Sequence, residues 1–264
     1  MFARIVLATA LLAASTEALV QAKAPAPAAQ HKPKLVAGDP APALAIEKWI
    51  KGAPVAGFEK GKVYVVEFWA TWCGPCIKSM PHLSTLQREY GPKGVTIIGV
   101  TSPDDRGNTL QRVESLVAQK GDGMAYTVAW DEDGGSKKDF MQAAGQTGIP
   151  CSFVVDGQGK VAFIGHPMNL DIPLSEIAAG TWDIEKGSAK VAEASAKLNE
   201  IFKLSRTDAK AALAKIDEYA LAYPVYADNV ELLKFDVALA TGDYALVSSV
   251  GATIVDKAIA GKND

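Results

Sequence analysis

Val63 to Cys76 reads Val-Tyr-Val-Val-Glu-Phe-Trp-Ala-Thr-Trp-Cys-Gly-Pro-Cys, and this stretch decides the fold. Its first half is apolar and rich in β-branched residues, which predicts a buried strand. The residues that follow, Ile77 to Tyr90, have the apolar spacing of an amphipathic helix. The Cys-x-x-Cys motif therefore lies where a strand ends and a helix begins. Unpaired N–H groups and a partial positive charge at a helix N-terminus favour a thiolate over a thiol, so this turn suits thiol chemistry.

The composition is that of a soluble globular protein. The chain has 264 residues, of which 48% are hydrophobic and 22% are charged, so one or two domains with an ample core are expected. A net charge of -3 gives no reason to expect nucleic acid as a partner. Three cysteines are too few for a disulfide-stapled scaffold, but they suffice for one reactive pair and one further thiol.

The N-terminus has the pattern of a secretory signal peptide. Arg4 precedes an apolar run, Ile5 to Ala14, that is too short to span a bilayer, and Val20-Gln21-Ala22 fits a small-x-small cleavage site. We expect a signal peptide over residues 1–22, with an uncleaved membrane anchor as the alternative. Export predicts an oxidising compartment, which we take to be a bacterial periplasm. Residues 23–35, rich in Ala, Pro and Lys, predict a flexible linker.

From Lys62 onward, strand and helix patterns alternate, and the last two strands form a predicted hairpin around Asp156 to Gly159. Parallel crossovers followed by a hairpin predict an α/β sandwich with a mixed sheet. Glu67 to Cys76, together with Gly148-Ile149-Pro150 and the hairpin after it, resemble the thioredoxin fold. An extra strand and helix before Ile149, and the N-terminal signal, make the chain similar to the TlpA-like, or redoxin, branch of exported thioredoxins.

This resemblance implies a thioredoxin-like three-layer sandwich over residues 36–180. After Asp183 helix-forming residues dominate, which predicts a C-terminal all-α appendage of four helices over residues 184–264. A period near 35 residues weakly resembles tetratricopeptide repeats. A generic helical appendage packed on the sheet domain is the other interpretation.

By the resemblance, Cys73 is the nucleophile, exposed at the rim of the turn, and Cys76 is the shielded resolving cysteine. The pair would exchange a disulfide with a substrate. A permanent structural disulfide and half of a zinc site are alternatives, although no second cysteine pair completes a zinc site. The dipeptide Gly74-Pro75 is that of reducing thioredoxins and favours a reductase.

Glu67 is an acid within an otherwise apolar strand, and burial would raise its pKa. The resemblance implies that it is the general base for Cys76. An outward-facing, solvated Glu67 is the alternative that strand alternation leaves open. Pro150 matches the cis-proline that faces the cysteine pair in this fold, and Ile149 would offer its backbone to an extended substrate. Trp72 would form part of the exposed substrate platform, beside Gly74 and Pro75.

Cys151 departs from the family pattern, in which a threonine is common. It follows Pro150 directly, so we expect it near the reactive pair. It is interpreted as a buried small hydrophobe, as a third redox thiol, or as a soft copper ligand together with Cys73 and Cys76.

The resulting hypothesis is a periplasmic enzyme, a protein-disulfide reductase that acts on client proteins without a cofactor or a resident metal. A disulfide oxidase or isomerase, and a copper-binding or docking module, are the alternatives. The family implies a membrane thiol-transfer protein as electron donor, because the compartment itself is oxidising. The helical tail is a possible docking element for protein partners.

Overall fold

The computed structural model describes residues 34–260 of the chain. The predicted signal peptide, residues 1–22, and nearly all of the predicted linker, residues 23–35, lie outside this range. Within it, six strands form one mixed sheet in the order β1-β4-β3-β2-β5-β6. The strands are β1 (Lys48–Lys51), β2 (Val63–Phe68), β3 (Val95–Thr101), β4 (Thr127–Trp130), β5 (Cys151–Val155) and β6 (Val161–Gly165).

β2 is an inner strand of the sheet, and every one of its side chains is buried. It pairs in parallel with β3, and β3 pairs in parallel with β4. On its other side β2 pairs antiparallel with β5, and β5 with β6. The short strand β1 adds an antiparallel edge beside β4. The mixed sheet expected from crossovers followed by a hairpin is confirmed.

Helices cover both faces of this sheet. One face packs against α1 (Gly74–Tyr90) and α2 (Leu110–Lys120). The other face packs against a short helix, α3 (Gly135–Lys137), which continues as a π-helical turn, Lys138–Gln142. These elements form the three layers of a thioredoxin-like sandwich.

The sequence did not predict the helix α4 (Asp171–Ala178), which follows β6. It has only eight residues, and Pro173 lies within its first turn, so its apolar side chains show less than two full periods. In α1, His82 Nε2 lies 3.1 Å from Asp171 Oδ2 at the start of α4. Helix α1 is thus in contact with the segment that leads into the tail.

Four further helices complete the described chain: α5 (Ile184–Thr207), α6 (Ala209–Ala222), α7 (Ala227–Thr241) and α8 (Tyr244–Ala260). Each packs against the next one along the chain. Trp182 Nε1 donates a hydrogen bond of 2.9 Å to the carbonyl oxygen of Ala162 in β6, and the Trp182 ring packs edge-on against Phe163. One hydrophobic cluster extends from Cys76 in α1 to Val237 in α7. The all-α appendage is confirmed, while the boundary between residues 36–180 and 184–264 stays a prediction.

Among residues 34–260, no helix combines the length and the apolar character that a membrane crossing requires.

Candidate active site

The site is built around a disulfide between Cys73 and Cys76. Cys73 is the N-cap of α1, with extended backbone angles, and its Sγ accepts a hydrogen bond of 3.2 Å from the backbone N–H of Cys76. Pro75 lies in the first turn of α1, where a backbone N–H would have no partner within the helix, so the missing N–H costs no helical hydrogen bond. Once the disulfide is reduced, the same N–H and the helix dipole would stabilise a thiolate on Cys73.

The expectation that Cys73 is exposed at the rim is wrong for this disulfide-bonded state. Only 3% of Cys73 is accessible, and Cys76 is buried as well. The bond to the inward-facing Cys76 turns the Cys73 sulfur towards Ile149, whose carbonyl oxygen lies 3.7 Å away. The exposed surface of the turn consists instead of Trp72, which is 38% accessible, and the dipeptide Gly74-Pro75.

The peptide bond between Ile149 and Pro150 is cis, as predicted. It immediately precedes β5, which pairs with β2 so that Cys151 lies opposite Phe68. This pairing brings the Ile149 carbonyl beside Cys73, although the two are 76 residues apart in sequence.

Trp72 is held by two side chains that the sequence analysis did not single out. Its Nε1 donates a hydrogen bond of 2.6 Å to Asp104 Oδ2, and the Arg106 guanidinium lies 4.0 Å from the centre of its ring. Burial opposes the charge on Asp104, but hydrogen bonds from the Asn108 backbone and from Trp72 lower the pKa of its carboxyl. The loop 102–108 thus fixes the orientation of the exposed tryptophan. No sequence signal connects this loop to Trp72, because the contact is purely tertiary.

Asn108 anchors the same loop to the active-site turn. Its Oδ1 accepts hydrogen bonds of 2.9 Å from both the backbone N–H and the hydroxyl of Thr71. Its Nδ2 donates to Thr101 Oγ1 and to the carbonyl oxygen of Ser102. The side chain is fully buried, so each of these bonds replaces contacts with water.

A groove of about 370 Å³ opens beside the disulfide. Trp72 and Ile149 line it near the cysteines, and Lys137 and Gln146 line it further away. Its walls combine aromatic surface with charged side chains of both signs, so it suits a peptide segment better than a single small ion.

Glu67 is buried, with 1% of its surface accessible, so the solvent-facing alternative is wrong. It points to the same face of the sheet as Val65 and Trp69, which is the face that packs against Cys76 and the rest of α1. Burial raises the pKa of the Glu67 carboxyl to about 8. An acid with such a pKa, in the layer beneath Cys76, can take up and release a proton near neutral pH.

Cys151 lies on the opposite face of the sheet, packed with Phe68 and Phe153. Burial, and then the nearby Glu67 charge, raise the pKa of its thiol to about 12. Because side chains alternate along β5, the Cys151 thiol faces away from the side of the sheet that carries Cys73 and Cys76. The structure supports the interpretation of Cys151 as a buried small hydrophobe. Cys73 and Cys76 are joined in a disulfide on the other face, so the three sulfurs do not form a copper site in this state. Within the described range, no group of three His, Cys, Asp or Glu side chains is placed to hold a metal ion.

Residues 36–177, more than half of the chain, match the Redoxin family. The chain belongs to this family. It is 32% identical over 157 residues to the thiol:disulfide interchange protein HelX of Rhodobacter capsulatus, covering 57% of this chain and 82% of HelX.

Two further similar proteins have the same kind of name. The thiol-disulfide oxidoreductase ResA of Bacillus thuringiensis subsp. konkukian is 36% identical over 102 residues, which cover 39% of this chain and 53% of ResA. This chain thus spans about half the length of that relative. The crystal structure of a thiol:disulfide interchange protein of the thioredoxin family from Chlorobium tepidum shares 26% identity with this chain. The match covers 53% of this chain and 96% of that one, with a TM-score of 0.43.

The disulfide at the start of α1 and the similarity to HelX and ResA indicate the same chemistry. This redoxin is a TlpA-like thiol-disulfide oxidoreductase with a thioredoxin fold. Its activity requires redox partners that exchange electrons with the cysteine pair.

Proposed function

We propose that this redoxin reduces disulfides in client proteins of the periplasm. The observation that carries the proposal is the cysteine pair at the N-terminus of α1, where Cys73 Sγ accepts the Cys76 N–H and the exposed dipeptide is Gly74-Pro75. Thioredoxins, which are reductants, have a potential of about -270 mV, whereas the oxidant DsbA lies at about -120 mV.

The reaction begins with the reduced protein. The Cys73 thiolate attacks one sulfur of the client disulfide, so that a Cys73–client bond forms, the client disulfide breaks, and the second client sulfur leaves as a thiolate that takes a proton from water. Cys76 then transfers its proton to Glu67 and attacks Cys73 Sγ. The client's other thiolate leaves, and the protein retains the Cys73–Cys76 disulfide seen here. The client gains two electrons, and the protein loses two.

Glu67 is proposed as the proton acceptor in the second step. Its pKa of about 8 is close to the ordinary pKa of a cysteine thiol, about 8.5, so the transfer requires little free energy. A solvated carboxylate, with a pKa near 4, would be a much weaker base for this thiol.

The client segment would bind in the groove beside the disulfide. The Ile149 backbone would pair with it near Cys73, while Trp72, Gly74 and Pro75 offer an exposed surface around the turn. Pro150 fixes the direction in which Ile149 presents its carbonyl group.

The location and the electron donor are proposed from the sequence. The signal-like segment 1–22 supports export to the periplasm. In an oxidising compartment, a reductase must be reduced again by a dedicated partner, and a membrane thiol-transfer protein would supply those electrons.

The helical tail is proposed to contribute to the docking of protein partners. Most of the exposed large hydrophobic side chains in the described chain lie there, among them Leu221 in α6 and Tyr244 at the start of α8. Serine at both positions should weaken client binding while leaving reduction of insulin unchanged. Equal client affinity in the double variant would remove this part of the proposal.

The reduction potential of the Cys73–Cys76 pair tests the direction of the reaction. The protein is equilibrated with mixtures of reduced and oxidised glutathione, and the fraction of reduced cysteines is measured by alkylation. We expect a value near -270 mV. A value near -120 mV would contradict the reductase and favour the disulfide oxidase or isomerase instead.

A further inference from the structure

Several buried polar atoms gather around Glu67. Glu67 Oε1, Trp69 Nε1, Tyr126 Oη and Ser152 Oγ are each inaccessible, and none of them has a hydrogen-bond partner among the described residues. Buried polar groups in folded proteins are almost always hydrogen-bonded, because leaving one unpaired is costly. Four such atoms on one face of one sheet therefore require a common explanation.

Strand register places these four groups together. Glu67 lies opposite Gly99 in β3 on one side and opposite Ser152 in β5 on the other. Gly99 has no side chain, and a Cβ atom there would lie 3.1 Å from both Trp69 Nε1 and Tyr126 Cε2. The indole and the phenol thus fill the space that a side chain at position 99 would occupy, directly beside Glu67.

The chemistry of the four groups is complementary. A phenol and an indole N–H can donate hydrogen bonds, a serine hydroxyl can donate and accept, and a carboxylate accepts only. Water is the usual link between buried polar groups that do not reach each other directly, and it needs two to four polar partners. All four groups point to the α1 side of the sheet, so such water would lie between the sheet and the helix that bears Cys76.

We propose that Tyr126, with Trp69 and Ser152, holds buried water against the Glu67 carboxylate, and that Tyr126 is a positioning residue for this acid. The hydroxyl acts through its hydrogen bonds and does not touch the reacting sulfurs. The functional consequence rests on the proposed role of Glu67 as proton acceptor. Hydrogen bonds to the charged form stabilise it, so Tyr126 offsets part of the cost of burying the carboxylate.

The ionisable groups around Glu67 are few. Tyr126 approaches Glu67 from the segment before β4. Cys151 is the residue before Ser152 in β5, and Cys76 lies in the overlying α1. Burial, followed by the Glu67 charge, raises the pKa of the Tyr126 phenol well above its ordinary value, so it remains a donor throughout the range in which Glu67 titrates. Cys76 is disulfide-bonded in the oxidised protein and does not titrate there.

The test is to titrate Glu67 in the full-length oxidised protein by NMR, using carboxyl-labelled glutamate, with Glu67→Gln to assign the resonance. Tyr126→Phe should raise the pKa of Glu67 by about one unit, because a donor to the charged form is lost. Ser152→Ala should raise it by less. Tyr64→Phe is the matched control. Tyr64 is in β2, like Glu67, but its side chain lies on the other face of the sheet, where its hydroxyl accepts a hydrogen bond from the Glu59 N–H.

The same variants are assayed for the pH dependence of client reduction. A parallel shift of the pH profile to higher pH in Tyr126→Phe is the expected result. If the Glu67 titration moves but the pH profile does not, the inference about Tyr126 stands and the proposed role of Glu67 fails. If Tyr126→Phe does not fold, Ser152→Ala carries the test. An unchanged Glu67 titration in every folded variant of Tyr126 and Ser152 overturns the inference.

Discussion

The two faces of the central strand β2 are equally buried but chemically different. On the α1 face, Glu67 and Trp69 present polar atoms, and they lie in the layer that contains the disulfide. On the other face, Phe68 packs with Phe140 and Phe153, whose rings meet at centroid distances of 5.3 to 6.0 Å. The α1 face carries buried polar groups, which are costly and which we propose serve proton transfer. The other supplies apolar contacts that help to offset this cost.

The cysteines follow the same division. Cys73 and Cys76 belong to the face with the acid, while Cys151 belongs to the aromatic face. Cys151, which directly follows the cis-proline, therefore directs its thiol to the face opposite the disulfide. Two changes on the disulfide face, one on the aromatic face and one at the rim of the site would test this division.

The largest effect is expected for Cys73→Ser. Without the attacking thiolate, client reduction should fall by about a thousand-fold or more, because the covalent intermediate cannot form. Cys151→Ala is the matched control and should retain nearly the wild-type rate. Both are measured by insulin reduction. A comparable loss in Cys151→Ala would mean that the two faces are not chemically separate.

The next effect concerns stability. Phe140→Ala removes a fully buried ring from the aromatic face and should lower the free energy of unfolding by about 3–5 kcal/mol. Urea denaturation measures the loss. The reduction potential of the remaining folded protein should stay at the wild-type value, and a shifted potential would show that the aromatic face influences the disulfide.

Glu67→Gln should change the dependence of stability on pH. In the wild type, burial raises the pKa of Glu67 from about 4.5 to about 8, so the folded state binds this proton more tightly than the unfolded state. Wild-type stability should therefore fall between these pH values, by at most about 1.4 kcal/mol per unit. The glutamine variant lacks this contribution, so its stability relative to wild type should rise from pH 4 to pH 9. A constant difference in urea denaturation would contradict the buried, titrating acid.

The smallest effect is expected at the rim. Asp104→Ala removes the acceptor for Trp72 Nε1, and the freed indole should raise KM for a client about three-fold with kcat unchanged, the loss of one partly exposed hydrogen bond. Its neighbour Asp105 also lines the groove, and Asp105→Ala is the control. Equal KM values in the two variants would show that the orientation of Trp72 does not matter for binding.

Much of the fold could be predicted from local patterns. The apolar run of β2, the glycines and polar residues of the β5–β6 hairpin, and the helix after Cys76 each fix one element by its own composition. The cis peptide before Pro150 was predicted from family resemblance. α4 was missed because eight residues with an early proline show too little periodicity.

The site was predicted only where sequence neighbours share a function. Cys73 and Cys76 are three residues apart, and an acid within an apolar strand is conspicuous. Asp104, Asn108 and Tyr126 reach the site through tertiary contacts, for which a single sequence contains no signal. For Cys151, proximity to Pro150 in sequence did not reveal on which face of β5 its side chain lies.

The continuous hydrophobic cluster from α1 into the tail has a consequence for hydrogen exchange. Cys76, Ile216 and Val237 belong to one cluster, although they come from the catalytic helix and from two helices of the tail. Segments that share a core tend to open together, as a single cooperative unit. Slow amide protons in α1 and in α6 should therefore exchange with the same free energy of opening. The protection of the helix that holds the disulfide would then depend on residues more than a hundred positions away.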